Sequence, residues 1–241
     1  MGKRIITQRR GRGSHTYKSP SHRYKGEIKL RAYDQIEKES SMKGVVKDIV
    51  NCPGHSAPLV LVQYDNKETV LMAASLGIRV NDTVESGVSA GVSDGNVLPL
   101  KNLPEGTLVN NIEVRPGDGG KLVRSSGSFG KIVGKLGDQI VIRLPSKKQK
   151  KFHANCRAII GVVAGGGRKE KPFLKAGTRM HAKRAKNKLY PQTSGVAMNA
   201  VDHPFGSGRG RHAGKPKTPP RYAHAGRNVG LIKAKRTGRK K

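Results

Sequence analysis

The residues best suited to chemistry in this sequence are an adjacent acid and base, Asp202 and His203, in the stretch GVAMNAVDHPFGSGRGRH (195–212). An imidazole beside a carboxylate is the pairing that general-base catalysis uses, with the acid orienting the base. The rest of the stretch is glycine, arginine and small residues, which is typical of an extended strand that passes close to a negatively charged partner. Catalysis and polyanion binding make different demands on the rest of the chain.

Catalysis would require an activated nucleophile, and none accompanies the pair. Neighbouring side chains of an extended segment point to opposite sides, so Asp202 and His203 would not readily hydrogen-bond to each other. The sequence has no G-x-S-x-G elbow, no G-x-x-x-x-G-K-[ST] loop and no helix-opening G-x-G-x-x-G loop. The residues therefore predict a protein that is not an enzyme, and a hydrolase built on His203 is the most distant alternative.

Cysteine and histidine spacing gives no metal motif. Cys52 and His55 have C-x2-H spacing, but no second pair follows at a zinc-finger distance. A Pro-Gly turn between strands explains this stretch, and only two cysteines in the chain argue against a disulfide framework. We expect no metal site and no cofactor, apart from ions such as magnesium held through a bound polyanion.

The charge of the chain calls for a polyanionic partner. The 241 residues include 48 Lys and Arg against 16 Asp and Glu, a net charge of +32. Such an excess opposes a compact state unless nucleic acid or an anionic membrane supplies counter-charge. No apolar run reaches membrane-spanning length, and the N-terminus lacks a signal-peptide core, so we expect a soluble intracellular protein. Aromatic residues are only 4% of the chain, which favours phosphate contacts over base stacking.

The charge is concentrated at the two ends. Residues 1–31 carry a net charge of +9 and residues 164–241 a net charge of +19, whereas residues 32–111 carry −4. Both ends are poor in large apolar residues, and Pro and Gly interrupt the C-terminal one throughout. We expect two basic tails that are unfolded alone and order on a polyanion.

The middle of the chain predicts short β-strands. MKGVVKDIV (42–50), PLVLVQYD (58–65) and ETVLMAA (68–74) are β-branched runs separated by turn residues. Gly137 and Asp138 predict a two-residue hairpin loop. Alternation then directs one set of residues toward a core, with Cys156 as a core thiol: Ile140, Ile142, Leu144, Phe152, Ala154, Cys156, Ala158 and Ile160. Short strands with tight turns predict small barrels, and two in tandem fit residues 32–163.

Several cations and glycines are candidates for contact with RNA. In RPGDGGKLVRSSGSFGK (115–131), glycine turns would let the backbone approach a phosphate. In 195–212, arginines can fork onto phosphate oxygens, while His203 can donate to, and Asp202 accept from, a nucleotide. The expected RNA-binding residues are Arg9, Arg10, Arg12, His22, Arg23, Arg115, Lys121, Arg124, Lys131, Asn199, Asp202, His203, Gly206, Gly208, Arg209 and Arg211.

The stretch at 195–212 strongly resembles the signature of the L-two family of large-subunit ribosomal proteins, usually GVAMNPVDHPHGGGEGR in bacteria. RPGDGGKLVRSSGSFGKIV and RLPSKKQKKFHANCRAIIGVV resemble that family's second barrel. MGKRIITQRRGRGSHTYKSPSHRYKG resembles its archaeal N-terminal arm. Ala200, Phe205 and Arg209 depart from the bacterial form in the direction of archaeal members.

The resemblance implies an all-β fold in four parts. These are a basic N-terminal arm (1–31), an OB-like barrel (32–107), an SH3-like barrel (108–170) and an extended RNA-threading tail (171–241). It implies a structural constituent of the large ribosomal subunit in the cytoplasm, in contact with large-subunit rRNA and neighbouring ribosomal proteins. It further implies a place near the peptidyl-transferase region and a role in subunit association.

The residues alone leave one alternative of a different class. A free RNA chaperone, or another polycationic nucleic-acid-binding protein, would use the same basic tails. Neither interpretation involves a membrane or a small-molecule substrate.

Overall fold

The computed structural model describes residues 3–11, 13–168, 170–203, 205–208 and 221–222. The chain divides into two compact units. The body is Ser21–Leu174, and the terminal unit combines Met1–Pro20 with Lys175–Lys241. Within the described residues, no helix is long and apolar enough to cross a membrane.

Ten strands of the body form one sheet. They are β1 (Ser41–Val50), β2 (Leu59–Tyr64), β3 (Thr69–Ala73), β4 (Thr83–Gly87), β5 (Val97–Pro99), β6 (Leu108–Asn110), β7 (Gly130–Leu136), β8 (Gln139–Arg143), β9 (Gln149–His153) and β10 (Arg157–Ile160). Their order in the sheet is β3-β2-β1-β4-β5-β10-β6-β7-β8-β9. All pairings are antiparallel except β4 with β5. The body also has the short helix α2 (Gln35–Glu39). The all-β class predicted from the sequence is therefore correct for the body.

The strands expected from the sequence are present. The three β-branched runs form β1, β2 and β3, because their apolar side chains alternate toward one face. Gly137 and Asp138 form the two-residue loop between β7 and β8, with Leu136 paired to Gln139. Gly137 takes a φ of +55°, which the left-handed geometry of such a loop favours.

The body contains separate apolar clusters on the two sides of the β5–β10 ribbon. One cluster includes Val46, Val62 and Val84 from the first strands, and the other includes Ile132, Ile142 and Phe152 from the later ones. A third, smaller cluster surrounds Ile28, Cys52 and Val163. Within the β5–β10 ribbon, Val97 and Ile159 belong to the first cluster, whereas Leu98 and Ala158 belong to the second.

Cys156 is a core thiol, as the alternation predicts. Its side chain is fully buried in the second cluster. Burial disfavours the charged thiolate and raises the pKa of this thiol to about 11. Cys156 is therefore an apolar packing residue at neutral pH.

A buried ionic cluster links α2 to β10, and no local sequence pattern indicates it. The guanidinium of Arg157 forms ion pairs with Glu37 and Glu113, and both carboxylates are fully buried. The Arg157 Nη2 to Glu113 Oε1 distance is 2.7 Å. Arg157 also donates to the carbonyl oxygen of Arg31 at 2.8 Å. These contacts supply counter-charge and hydrogen bonds to charges that would be costly to bury alone.

Asp34 links this cluster to the start of α2. Its side chain caps the helix by accepting from the backbone N–H of Glu37 at 3.0 Å. It also forms an ion pair with Arg31 through two guanidinium nitrogens. The hydrogen bond from Arg31 lowers the pKa of the Asp34 carboxyl below its usual value.

The described part of the terminal unit differs from the extended tails that the sequence predicts. Residues Ile6–Gly11 form the helix α1 and Ala176–Arg184 form the helix α3. The amide of Asn187 donates to the carbonyl oxygens of Thr16 (2.9 Å) and Lys18 (2.7 Å), so it holds N-terminal and C-terminal segments together. No described residue of this unit is buried, and composition does not reveal such contacts between distant segments. Most of the predicted tail beyond residue 208 lies outside the described residues.

Candidate nucleic-acid interface

The signature loop (195–208) is compact rather than extended over its described residues, 195–203 and 205–208. It begins with a 3₁₀ turn at Gly195–Ala197. Backbone bonds then close it, from Asp202 N–H to Asn199 O (2.9 Å) and from Ser207 N–H to Met198 O (3.1 Å). The predicted strand at this position is therefore wrong. The glycines that suggested an extended segment instead permit tight self-packing.

Two glycines of the signature loop contact the loop itself. A Cβ at Gly195 would overlap the ring of His203, and a Cβ at Gly206 would overlap the backbone of Met198 and Asn199. No described residue lies within 4 Å of a Cβ built at Gly208, but its φ of +105° is one that other residues rarely adopt. Gly195 and Gly206 therefore shape the loop, and their role in close approach to RNA stays a prediction.

His203 is oriented by its own loop. Its Nδ1 accepts a hydrogen bond from the backbone N–H of Phe205 at 3.1 Å. The proton of the neutral ring is therefore on Nε2, which is a hydrogen-bond donor. The rings of His203 and Phe205 lie 4.9 Å apart between centroids, which further fixes the imidazole.

Asp202 does not orient His203. Its carboxylate lies 3.8 Å from the ammonium of Lys3, and the backbone N–H of Lys3 donates to Val201 O at 2.8 Å. No hydrogen bond between Asp202 and His203 is present in this described part of the loop. The acid–base pairing that catalysis would require is therefore not formed. Because 3.8 Å exceeds hydrogen-bond length, the Asp202 oxygens can still accept from another group.

Two of the predicted arginines of the N-terminal arm, Arg9 and Arg10, lie in the last turn of α1. Arg10 donates from Nη2 to the carbonyl oxygen of Asn187 at 3.4 Å, one of the five N–H groups of its guanidinium. The guanidinium of Arg9 is exposed and makes no hydrogen bond or ion pair with any residue that the structure describes. Most of the donor capacity of both arginines is available to a ligand.

The structure brings four predicted RNA-binding residues to one cavity. Arg9 and Arg10 of α1 and Asp202 and His203 of the signature loop all line a cavity of about 470 Å³. Asn199, Gly206 and Gly208 belong to the same loop but do not line it. Arg12, Arg209 and Arg211, which the sequence also predicts, lie outside the described residues.

The other predicted residues belong to the body. His22 and Arg23 lie in a 3₁₀ turn at Ser21–Arg23. Arg115, Lys121 and Lys131 are exposed, and the Lys121 ammonium lies 3.8 Å from Asp118. The remaining one, Arg124, donates to Ile28 O at 3.2 Å and therefore also has a structural role.

Backbone N–H groups in the glycine turns of 115–131 already donate hydrogen bonds to carboxylates of the body. The N–H groups of Gly117 and Gly119 donate to Glu113 at 3.2 and 3.1 Å, and that of Gly120 donates to Asp118 at 3.1 Å. A phosphate would have to displace these carboxylates to use the same N–H groups. The interpretation of the glycines as a phosphate cradle is therefore not favoured, and the exposed cations remain the candidates.

Two exposed cations that were not among the expected RNA-binding residues, Arg143 and Lys151, lie on the same β7–β8–β9 face as Lys131. In the sheet register, Lys131 of β7 lies opposite Arg143 of β8, and Arg143 lies opposite Gln149 of β9. Lys151, two residues further on, is likewise exposed. The sequence feature that could have indicated Lys151 is the basic run SKKQKK (146–151), because several lysines in a row are typical of an exposed edge strand.

The Cys52–His55 turn forms a local contact. His55 Nδ1 lies 3.1 Å from Cys52 Sγ, and the thiol is buried. Over the described residues, no three His, Cys, Asp or Glu side chains are grouped in a way that could hold a metal ion.

The chain combines a folded β-sheet body with a terminal unit rich in cations. This combination is typical of polyanion-binding proteins. The comparison with known families is specific within that class. Residues 3–86 match the model described as Ribosomal Proteins L2, RNA binding N-terminal domain, and residues 93–222 match Ribosomal Proteins L2, C-terminal domain. The chain belongs to the ribosomal protein L2 family.

Individual relatives are similar over their whole length. The protein named large ribosomal subunit protein uL2 from Methanothermobacter thermautotrophicus is 56% identical over 241 residues, which is 100% of each chain. The proteins of the same name from Methanosphaera stadtmanae and Methanocaldococcus jannaschii are 54% and 52% identical, again over 100% of each chain. The archaeal character inferred from the signature is therefore confirmed.

Proposed function

We propose that this chain is a structural constituent of the large ribosomal subunit and binds large-subunit rRNA. The observation that carries the proposal is similarity along the entire chain, since the relatives at 50–56% identity are named large ribosomal subunit protein uL2. The matched N-terminal family model is itself described as RNA binding. A role in translation on the cytoplasmic ribosome follows from this membership.

The charges of the terminal unit support RNA as its partner. The unit has 24 basic residues and one acidic residue. Arg9 has no ion pair with any described residue, and Arg10 uses one of its donors within the protein. Guanidinium groups of this kind form bidentate contacts with phosphate oxygens. Contacts with phosphate position a protein on RNA, whereas contacts with base edges give specificity.

For the body we propose an OB-like barrel at 32–107 followed by an SH3-like barrel at 108–170. The separate clusters around Val62 and Ile142 support two units of packing. The N-terminal arm at 1–31 and the tail at 171–241 are then the rRNA-binding segments of the proposal. Subunit association and proximity to the peptidyl-transferase region are further parts of it, carried over from the family resemblance.

The proposal includes no enzymatic activity and no cofactor other than ions bound through RNA. Asp202 and His203 have separate partners, Lys3 and Phe205, so neither depends on the other for its orientation. Their role in the proposal is to contact a nucleotide. Peptide-bond formation would remain the chemistry of the RNA that the protein helps to position.

Sedimentation of an epitope-tagged chain in sucrose gradients tests the proposal. We expect the tagged chain in the large-subunit peak and in associated ribosomes, at about one copy per particle. A free RNA chaperone would instead spread across RNAs of different sizes without a fixed stoichiometry. Raising the salt does not separate these two functions, because both use phosphate contacts.

A further inference from the structure

We propose that the terminal-unit cavity binds a single unstacked nucleotide of the RNA. The inference rests on the proposed function and adds a ligand for a specific site. Two segments of the chain line the cavity. One is residues 5–10, most of which belong to α1, and the other is residues 189–203. Its volume of about 470 Å³ falls within the range of roughly 300–1,000 Å³ that small-molecule sites occupy.

The apolar part of the lining suits the faces of a base. It consists of five side chains from three segments: Ile5, Ile6, Leu189, Pro191 and Met198. None of these is fully buried in the protein alone. A planar heterocycle inserted among them would remove apolar surface from water, which favours binding.

The polar part of the lining suits a phosphate and a base edge. Arg9 and Arg10 bring positive charge and multiple N–H donors from α1. His203 and Asp202 bring a donor, Nε2–H, and an acceptor, the carboxylate, from adjacent positions of the signature loop. A nucleotide can use all of these groups. Its base can contact the apolar side chains, its phosphate the arginines, and its polar edge the donor and the acceptor.

The donor and the acceptor suit the polar edge of a base. Adenine carries a ring-nitrogen acceptor next to an exocyclic amine donor, which can pair with His203 Nε2–H and the Asp202 carboxylate. Uracil can use the same two groups, because its N3–H donates and its neighbouring carbonyl oxygen accepts. We therefore expect the cavity to accept a base without strong selection between adenine and uracil, and an adenine oligonucleotide is used as the probe.

Methionine methyl resonances provide a test in the full-length protein. With ¹³C-methyl methionine, the Met198 signal should shift when the oligonucleotide A8 is added, because Met198 lines the cavity. Met180, in α3 of the same unit, and the buried Met72 of the body are controls in the same sample. Adenosine 5′-monophosphate is the second probe, and it should bind more weakly than A8 because it lacks the neighbouring phosphates. A tighter response to the free nucleotide would overturn the assignment to RNA.

Two variants with matched controls test the site itself. Leu189→Trp fills the cavity without changing the charge, and we expect A8 affinity to fall about tenfold, the scale of one lost base contact. Leu174→Trp, at a side chain that is 93% exposed in the body, should leave A8 affinity unchanged. Arg9→Gln should weaken binding more than Arg4→Gln, which removes the same charge from an exposed neighbour outside the cavity. The comparison of Arg9→Gln with Arg4→Gln is informative even if Leu189→Trp misfolds.

The outcomes separate this inference from the proposed function. If the protein joins the large subunit but Met198 responds no more than Met180 to bound A8, the cavity inference is wrong and the ribosomal function stands. The same conclusion follows if both variants match their controls. If the protein neither binds RNA nor sediments with the large subunit, the proposed function is itself contradicted.

Discussion

The body and the terminal unit contain the same number of basic residues but are held together in different ways. Each has 24, yet the body has 15 acidic residues and the terminal unit one. The body encloses apolar clusters and a buried ionic cluster, whereas no residue described in the terminal unit is buried. The body therefore carries its own counter-charge and core, whereas the terminal unit has a single acidic residue and no buried core among its described residues.

This difference separates two roles for a cation. In the body, Arg157 stabilises the fold by neutralising buried carboxylates, and Lys29 has an ion pair with Glu27 at 2.7 Å. In the terminal unit, Arg9 has no described partner. The net charge therefore indicates the capacity for binding a polyanion only after the cations that form ion pairs within the protein have been subtracted.

The largest expected effect is the salt dependence of RNA binding. If roughly six to ten cations contact phosphate, affinity for a large-subunit rRNA transcript should fall by about 10³–10⁵ between about 50 and 200 mM salt. Filter binding across that range measures the slope. Arg9→Gln should reduce the slope by about one, whereas the paired Lys29→Gln should change it less. A nearly flat salt response, or equal effects of the two substitutions, would break the comparison between the units.

The next largest effect concerns the buried ionic cluster of the body. Arg157→Met would leave Glu37 and Glu113 buried without their main counter-charge, and we expect it to cost about 3–5 kcal/mol of unfolding free energy. Urea unfolding of the variant measures this loss. Arg143→Met, at an exposed arginine of β8, is the control and should change stability by less than about 0.5 kcal/mol. Similar unfolding midpoints for the two variants would contradict the role given to Arg157.

A smaller effect is expected in the terminal unit. Gly206→Ala places a Cβ against the backbone of Met198 and Asn199, and overpacking of this kind costs about 1–3 kcal/mol. Hydrogen exchange should show faster exchange of the Ser207 amide, which is bonded to Met198 O. Gly177→Ala, in α3 with no described atom within 4 Å of the added Cβ, should leave that amide unchanged. If both substitutions leave the amide protected, the close packing at Gly206 is not required.

The smallest effect is the acid dependence contributed by Asp34. Because Arg31 lowers the folded-state pKa of this carboxyl, its stabilising contribution is present above the unfolded-state value of about 4. The contribution is lost as the pH falls from there through the lowered pKa. Asp34→Asn should therefore reduce stability at neutral pH and flatten the loss of stability as the pH falls below about 4. Thermal unfolding at stepped pH measures this, and parallel curves for the two proteins would exclude Asp34 as a contributor.

The sequence predicted the local features of the body well. The β7–β8 hairpin follows from the Gly137-Asp138 loop and from the alternation of Ile140 and Ile142, which are neighbours in the chain. The ionic cluster could not be predicted in this way, because Arg157 is 44 residues from Glu113 and 120 from Glu37. Nothing local in the sequence marks such a pair.

The candidate site shows the same limit. Composition and resemblance identified Arg9, Arg10, Asp202 and His203 separately, but their common cavity joins segments from opposite ends of the chain. The conformation of the signature loop was predicted incorrectly, because Gly195 and Gly206 permit both an extended strand and a tight turn. Contacts within the loop, such as the one from Phe205 to His203, decide between the two.

The ribbon of β5 and β10 has a consequence for how the body is made. Its residues alternate between the two apolar clusters, so Ile159 and Ala158 complete opposite sides of the same sheet. A nascent chain that ends before β10 lacks Ile159 from the first cluster and Ala158 and Ile160 from the second, so both clusters are incomplete at that length. We therefore expect the body to fold in one cooperative step after most of the chain has been synthesised, rather than one half at a time during translation.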